Sequence, residues 1–440
     1  MGAVRPQTPH RSPRQAFGGN TLKGVFKRWR FVVRGGRGLR MEANLLFEQA
    51  LGLGNGWNVV KSEMNVESRQ LKLWLDFQAG SQFECPRCGE YCPVHDTAEK
   101  RWRHLNFWQH RTELIARVPR VKCEEHGVLQ TEVPWARPES GFTLMMEAVI
   151  VLLCQQMTVS AAAAHLGETD KRLWRVLDHY VSEAHAAKDW SGVAQIMIDE
   201  TSTKKGHHYA TNFMDAETKT LLFTTQGKDQ ETIAAFAAEM PRHGASPSQI
   251  THVIMDMSKA FIAGVATHFP TARVIFDHFH IMKLAGEALD AVRKALSSQG
   301  ASLKGGLWAI RGNEWTRSEI QLQARRQFID DYPVLGRALG LRESLQDVLA
   351  GGEVDELKWW CGWADRSRLL PFRKLSKTIK AHWEGILAFM ETRLTNAAME
   401  AVNGILQLAK RMARGFRNFH YFRIAAYLKA GALQLNIVHS

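Results

Sequence analysis

Four residues stand at metal-ligand spacing in the first third of the chain. Cys85-Pro-Arg-Cys88 is followed, after 34 intervening residues, by Cys123-Glu-Glu-His126. Two ligands three apart on a tight turn can aim their donors at one ion. Two such turns fill the four tetrahedral positions of one structural Zn2+. Four unligated thiol and imidazole groups in a small core are the plain alternative, and Cys92 and His95 are substitute ligands. Cys154 and Cys361 stand apart and read as buried hydrophobes.

A second set consists of carboxylates. Val193–Ile198 reads as a strand that runs into Asp199-Glu200, and Thr251–Met255 as a strand ending in Asp256. Neighbouring strands lie ~4.8 Å apart, so acids at adjacent strand ends can share one or two divalent ions. Hard oxygen ligands suit Mg2+ or Mn2+. A pair of ions clamps the attacking and leaving oxygens of an in-line phosphoryl displacement. Spacing does not choose a third acid among Glu200, Asp277, Glu384, Glu391 and Glu400. Asp256 precedes Met257-Ser258, so a capping role competes with a ligand role there. Asn396, Glu400 and Asn403 lie four and three apart, which places them on one helix face.

The third set is basic. Thr143–Met157, Val159–His165 and Lys171–Ser182 read as three helices, with Thr158 or Ser160 capping the second and Asp170 the third. Leu166-Gly167-Glu168 is the turn between the last two, and Ala163, Leu173 and Val176 pack them together. This is a helix-turn-helix pattern whose last helix would enter the major groove of double-stranded DNA, with Lys171, Arg172 and Arg175 exposed toward phosphates and base edges. An ordinary helical hairpin is the alternative. Lys410, Arg411, Arg414 and Arg417 form a second phosphate-binding patch, or a solvated helix face.

These groups need scaffolds. Residues 41–80 alternate Trp/Val-rich and polar segments and read as short strands, as in Trp57–Val60 and Leu71–Phe77, with Thr112–Val121 a further strand. Beyond Val193, strands at His208–Met214 and Thr220–Thr225, a helix at Asp229–Met240, a helix at Ser258–His268 and a strand at Arg273–Phe276 ending in Asp277 make a mixed α/β sheet. Residues 281–390 read as helical, with Trp308, Trp315, Trp359, Trp360, Trp363 and Trp383 in the core. Ala388–Lys410 and Tyr421–Leu435 are helical. The fold class is therefore multidomain α/β. Its segments are a disordered basic leader at 1–40, a zinc-binding module at 41–135, a helix-turn-helix domain at 140–190, a sheet core at 193–284, a helical stretch at 285–388 and C-terminal helices at 389–440.

Composition sets the outer limits. The chain has 440 residues, 45% of them hydrophobic and 23% charged, which excludes a wholly disordered chain, a collagen-like fibre or a disulfide miniprotein. The net charge of +13 is misleading, because residues 1–40 hold ten of the 57 Lys and Arg and no acid. The rest is nearly balanced, so DNA binding has to rest on local patches. The longest apolar run, near Leu144–Cys154, is interrupted by Glu147 and is too short for a bilayer. Six sparse cysteines fit a reducing cytoplasm.

Taken together, these motifs resemble the bacterial insertion-sequence transposases of the DDE type, closest to the ISL-three family. The similarity runs from about Met41 to the C-terminus. It is carried by the Cys85/Cys88 and Cys123/His126 module, Arg101-Trp-Arg-His-Leu105, Val133-Pro-Trp-Ala136, the helix-turn-helix and Ile198-Asp199-Glu200. Met255-Asp256-Met257-Ser258, Asp277-His-Phe-His280, Thr395-Asn396 with Glu400 and Asn403, and Lys410-Arg411 with Gly415-Phe416 complete it. The resemblance implies an RNase H-like catalytic domain with Asp199, Asp256 and Glu400 as its metal-binding triad. It implies a large helical insertion before Glu400, and supporting roles for Asp277, His280, Asn396 and Asn403. It also implies recognition of terminal inverted repeats, transfer to target DNA, and a homodimer on DNA near the nucleoid. The family usually has Gly where this chain has Ala397 and Ala401. A site-specific DNA-binding repressor without chemistry and an RNase H-like nuclease acting on RNA are the competing readings.

Overall fold

The computed structural model describes residues 37–53, 56–298, 303 and 318–437. Most of the leader expected at 1–40, together with Trp308 and Trp315, lies outside the described residues. The rest divides into two compact units. One holds the described residues up to 100 together with 114–131, and the other holds 101–113 and 132 onward. The segment 41–135, expected as one module, is therefore shared between both.

The first unit opens with helix α1 (Arg37–Leu51), where short strands were expected from residue 41. The strands begin later: β1 (Trp57–Asn65), β2 (Gln70–Phe77), β3 (Gln82–Glu84), β4 (Tyr91–Arg103), β5 (Arg111–Cys123) and β6 (Gly127–Gln130). They form one sheet in the order β1-β2-β5-β4-β3, with β6 on β5. Alternation of side chains explains the register. Leu71, Leu73 and Leu75 are buried on one face of β2, and the intervening residues are half-exposed. The periodicity of 41–51 fails as a strand because Asn44-Leu45-Leu46-Phe47 and its flanks carry no β-branched residue. Glu48 anchors α1 by accepting the Val59 N–H at 2.7 Å.

The second unit begins with three helices, α2 (Leu144–Gln156), α3 (Val159–Leu166) and α4 (Asp170–Ala186). Thr143 and Thr158 cap the first two through their hydroxyls. Asp170 does not cap α4 as expected. It is the first helical residue, and Thr169 occupies the cap position without a side-chain bond. Gly167 closes α3 at φ 66°, a left-handed conformation that glycine adopts without a Cβ clash. Ala163, Leu173 and Val176 are buried, as the turn requires.

Glu147, which interrupts the apolar run of α2, is wholly buried yet satisfied. Its carboxylate accepts Arg137 Nε at 3.0 Å, Ser140 Oγ at 2.6 Å and the Tyr180 hydroxyl at 2.9 Å. Glu168 is the centre of an ionic cluster at the turn. Its carboxylate receives Arg103 at 3.3 Å, Arg111 at 2.9 Å, and Arg172.

A five-stranded sheet follows, built from β7 (Gln195–Lys204), β8 (His208–Asp215), β9 (Leu221–Gln226), β10 (His252–Met255) and β11 (Arg273–Phe276). Its order is β11-β10-β7-β8-β9. The first three strands meander antiparallel, and β10 and β11 run parallel to β7. β10 is buried along most of its length and all-apolar after His252, as a parallel strand covered on both faces should be. Helices α5 (Gln230–Glu239) and α6 (Lys259–His268) cover one face, with Phe213 of β8 stacked on Phe236 at 4.3 Å.

The remaining described elements are helical: α7 (His278–Ser298), α8 (Glu319–Asp331), α9 (Pro333–Gly351), α10 (Val354–Arg366), α11 (Leu370–Ala381), α12 (Trp383–Thr392), α13 (Ala397–Met412) and α14 (Phe419–Ala430). Trp360 is fully buried, whereas Trp359 is exposed. Cys154 and Cys361 are buried, and desolvation raises both thiols. The helix expected over Ala388–Lys410 is two helices. Arg393 takes φ 58°, ends α12 and donates to the Leu349 carbonyl at 2.6 Å, and the chain restarts after Asn396. The expected boundary at 388/389 thus falls inside α12. The last helix ends at Ala430 rather than Leu435.

Candidate active site

The four zinc-type residues meet in the first unit. Cys88 Sγ lies 3.7 Å from Cys123 Sγ, and His126 Nδ1 lies 3.6 Å from Cys123 Sγ and 3.9 Å from Cys85 Sγ. With Zn–S bonds of ~2.3 Å, the edge of a ligand tetrahedron is about 3.7 Å, so the donor set fits one Zn2+. The turns make this possible: Cys85 N–H binds the Glu90 carbonyl at 2.8 Å, and Gly89 and Gly127 both take positive φ. Backbone N–H groups of Cys88 and Arg87 draw the Cys85 thiol down to about 7, toward the thiolate that binds metal. Cys92 and His95 are outside this cluster, the one metal-capable Cys, His and acid group found among the described residues. Cys92 instead turns its thiol to the Glu90 carbonyl.

Asp199 is not at a strand end. β7 continues to Lys204 paired with β8, and its parallel partner β10 stops at Met255. The end that matters is the partner's. Ile254 pairs with Met197 on one side and with Ile275 on the other. Continuing that register by two residues aligns Asp199, Asp256 and Asp277 across three adjacent strands. On the other side of β7, Asp199 is opposite Asn212, and Asn212 is opposite Thr224. One level of the sheet therefore carries a polar row from β9 to the end of β11.

Each member of the row is held. Asp199 Oδ1 accepts the Glu200 N–H at 2.8 Å, and Oδ2 accepts Asn403 Nδ2 at 2.8 Å. Asn403 Oδ1 accepts from Asn212, and Asn212 Oδ1 accepts from Thr224 Oγ1. Asp256 accepts the Ser258 N–H at 3.0 Å, so part of the capping alternative is realised. Burial, reinforced by the nearby charges of Asp256 and Glu200, pushes Asp199 up to about 6. Burial alone would raise Asp277 too, but His278 and His280, 3.5 and 3.4 Å away, hold its carboxyl well below the usual carboxylate range. His280 is raised in turn by Asp277, against its own burial.

Helix α13 runs along β7. Asn396, at its N-cap, donates to the Ile198 carbonyl at 3.2 Å, and its own N–H faces Asp277. Asn403 reaches Asp199, Gln407 reaches Thr201 and Ser202, and Lys410 donates to the Ser202 carbonyl at 2.6 Å. Glu400 lies between Asn396 and Asn403 on this same face and is half-buried. Of the other candidate acids, Asp277 lies in the row itself, and the remaining three do not. Glu391 pairs with Arg273, Glu384 is exposed, and Glu200 alternates to the opposite face of β7 from Asp199. Asp199, Asp256 and Glu400 form no group of three with all donor atoms within 4.8 Å, and none is ion-paired to Lys or Arg among the described residues.

Two of the expected DNA contacts are already committed. Arg172 is half-buried, bound to Glu168 and the Gly141 carbonyl, and its guanidinium stacks over Phe142. Lys410 is tied to β7. Arg172, expected to be exposed, is half-buried because it lies on the helix face turned toward Glu168, and Lys410 lies on the face turned toward β7. Lys171, Arg175, Arg411, Arg414 and Arg417 remain exposed. Asn212 and Thr224 escaped sequence reading, since each is one of several polar residues in its strand and its complete burial is set by the fold.

Comparison with known proteins follows this division of the chain. A family model described as transposase matches residues 196–426, more than half of the chain. The model for the helix-turn-helix domain of transposase family ISL3 matches 131–181. The zinc-finger of transposase IS204/IS1001/IS1096/IS1165 matches 81–126. The chain is 28% identical over 372 residues to the transposase for insertion sequence element IS1557 of Mycobacterium tuberculosis, covering 76% of this chain and 82% of that one. It is 27% identical over 396 residues to the transposase for insertion sequence element IS1001 of Bordetella parapertussis, covering 85% and 95%.

Proposed function

The chain belongs to the ISL3 family of insertion-sequence transposases, and from that premise we propose that it cuts and joins DNA at the element's ends through Asp199, Asp256 and Glu400. The observation that carries this reading is the row of acids at the carboxyl end of β10 together with the placement of α13. The helix pins Asn396 and Asn403 to β7 on either side of Glu400, and so turns Glu400 toward the face that presents Asp199.

Among the described residues these three carboxylates are ion-paired to no Lys or Arg, and carboxylate oxygens are the donors that Mg2+ or Mn2+ takes. When bound, such ions lower the pKa of water and neutralise charge on the phosphate. The protein's own groups do the positioning. The Glu200 N–H and Asn403 fix both oxygens of Asp199, and the Ser258 N–H fixes Asp256. The buried Asp277 orients His280 at the same edge, where the imidazole can face a phosphate. The sheet order, numbered within its own five strands, is 3-2-1-4-5 with the last two parallel to the first. This order supports an RNase H-like core interrupted by the helices from α7 to α12.

The helix-turn-helix, with Lys171 and Arg175, would grip the terminal inverted repeats, and Arg411, Arg414 and Arg417 would lie along the phosphates. The Cys85, Cys88, Cys123 and His126 site would hold one structural Zn2+. Because two ends must be cut together, the working species would be a homodimer on DNA that also captures target DNA.

The test is direct. Asp199→Ala, Asp256→Ala and Glu400→Ala should each lower Mg2+-dependent cleavage of a terminal-repeat duplex at least ~10³-fold, with end binding by mobility shift nearly unchanged. Strand cleavage at the wild-type rate by any one of them removes that residue from the site. A DNA-binding repressor would leave the duplex whole whatever the metal.

A further inference from the structure

We propose that Asn212 and Thr224 are positioning residues that aim the Asp199 carboxylate for metal binding through a one-directional hydrogen-bond relay; this rests on the reading of Asp199 as a metal ligand. The relay has four members on three strands and one helix. Thr224 Oγ1 donates to Asn212 Oδ1 at 2.7 Å, Asn212 Nδ2 donates to Asn403 Oδ1 at 2.8 Å, and Asn403 Nδ2 donates to Asp199 Oδ2 at 2.8 Å. Thr224 and Asn212 have no measurable exposure, so water cannot stand in for a missing partner.

The direction of the relay follows from the inventory of donors. A carboxylate only accepts, whereas a side-chain amide has one accepting and one donating end. Asn403 therefore has to present Nδ2 to Asp199, and something has to satisfy its Oδ1. Asn212 does so with its own Nδ2, which leaves its Oδ1 for the Thr224 hydroxyl. Reversing any amide would set two acceptors or two donors against each other along the row. The far end is fixed as well, since the Thr224 N–H donates to the Tyr427 hydroxyl at 3.3 Å.

The position of Asn212 makes this more than local packing. It lies directly across from Asp199 on β8, and Thr224 lies directly across from it on β9. Asn403 bridges the row from above, on the helix that carries Glu400 three residues earlier. The relay therefore couples the azimuth of α13 to the orientation of Asp199, and so holds two acids from distant parts of the chain in one frame.

The experiment uses the full-length, zinc-loaded chain. Mn2+ binding is measured by the free-ion paramagnetic resonance signal, cleavage of a terminal-repeat duplex is measured against Mn2+ concentration, and thermal midpoint and end binding serve as controls. Thr224→Val keeps the shape and removes the hydroxyl. It should weaken Mn2+ binding and raise the half-saturating Mn2+ for cleavage about 3- to 10-fold, whereas Thr224→Ser should restore both. Asn212→Asp places an acceptor where Asn403 needs a donor, and should cost about 10- to 100-fold in Mn2+ affinity. Equal Mn2+ affinity in wild type, Thr224→Val and Thr224→Ser overturns the relay. Asp199→Ala separates the two claims. If it is inactive while the relay variants behave as wild type, only the relay falls. If Asp199→Ala binds Mn2+ and cleaves normally, the reading of the site falls and the relay with it.

Discussion

Replacing Glu168 by Gln should destabilise the unit that contains the helix-turn-helix by about 3–5 kcal/mol, one of the largest effects expected of a single isosteric change in this chain. Three guanidinium groups converge on this carboxylate, whose side chain is 3% exposed, and their exposures decide how much each is worth. Arg103 is 4% exposed and cannot be rehydrated when its partner is neutralised, so it carries nearly all of the cost. Arg111 and Arg172 are 36% and 34% exposed, and each should contribute no more than ~1 kcal/mol. Arg103 is already held below the ordinary arginine range, first by burial and then by the charge of Arg111, and Glu168, with a smaller part from Glu113, opposes both. Neutralising Glu168 leaves three guanidinium groups at the turn with only Glu113 beside Arg111 to oppose them.

Urea unfolding followed by tryptophan fluorescence and circular dichroism gives the free energy, with the transition slope as a check that the same surface is exposed. A control keeps the comparison honest: Arg242→Ala removes an ion pair whose arginine is 76% exposed, and should change stability by less than ~0.5 kcal/mol. If Glu168→Gln unfolds within ~0.5 kcal/mol of wild type, the carboxylate is not what holds Arg103 in place, and the argument from burial is wrong.

Two further predictions use other parts of the structure. Cys123→Ser should release about one equivalent of Zn2+ from the purified chain in a colorimetric chelator assay, and Cys92→Ser should release none, because its thiol lies outside the four-donor cluster. Two glycine-to-alanine changes should move stability in opposite directions. A Cβ at Gly385 would come within 2.6 Å of the Phe276 ring, so that change should cost about 1–2 kcal/mol despite alanine's helix preference. Gly404 faces open space on α13, and the same change there should gain up to ~1 kcal/mol; denaturation midpoints of equal sign would contradict the packing assigned to Gly385.

The local rules were legible from the chain itself. Ligand spacing marked the zinc-type turns, and a capping Thr158 with a left-handed Gly167 marked the helix-turn-helix. Apolar runs ending in acids marked β10 and β11, because a covered parallel strand has no polar alternation to hide it. What failed were statements about ends and faces. The extent of β7 past Asp199 depends on its pairing with β8, which no local propensity encodes. The partners of Arg172 and Lys410 within the protein were not legible, because sequence does not tell which side of a helix meets a neighbour.

The residue types and their intervals along the chain set which chemistry was available: thiols and an imidazole for a soft ion, carboxylates for hard ones, cations for phosphate. Only the folded arrangement gives these acids different surroundings: Asp277 shares the row of Asp199, Glu400 lies on the helix face of Asn396 and Asn403, Glu391 pairs with Arg273, Glu384 is exposed, and Glu200 alternates to the opposite face of β7. The physical reason is range. Helix and turn signals act over a few residues, whereas the contact between Asn403 and Asp199 spans 204 positions and exists only because a strand, its cross-strand partners and a remote helix pack into one layer.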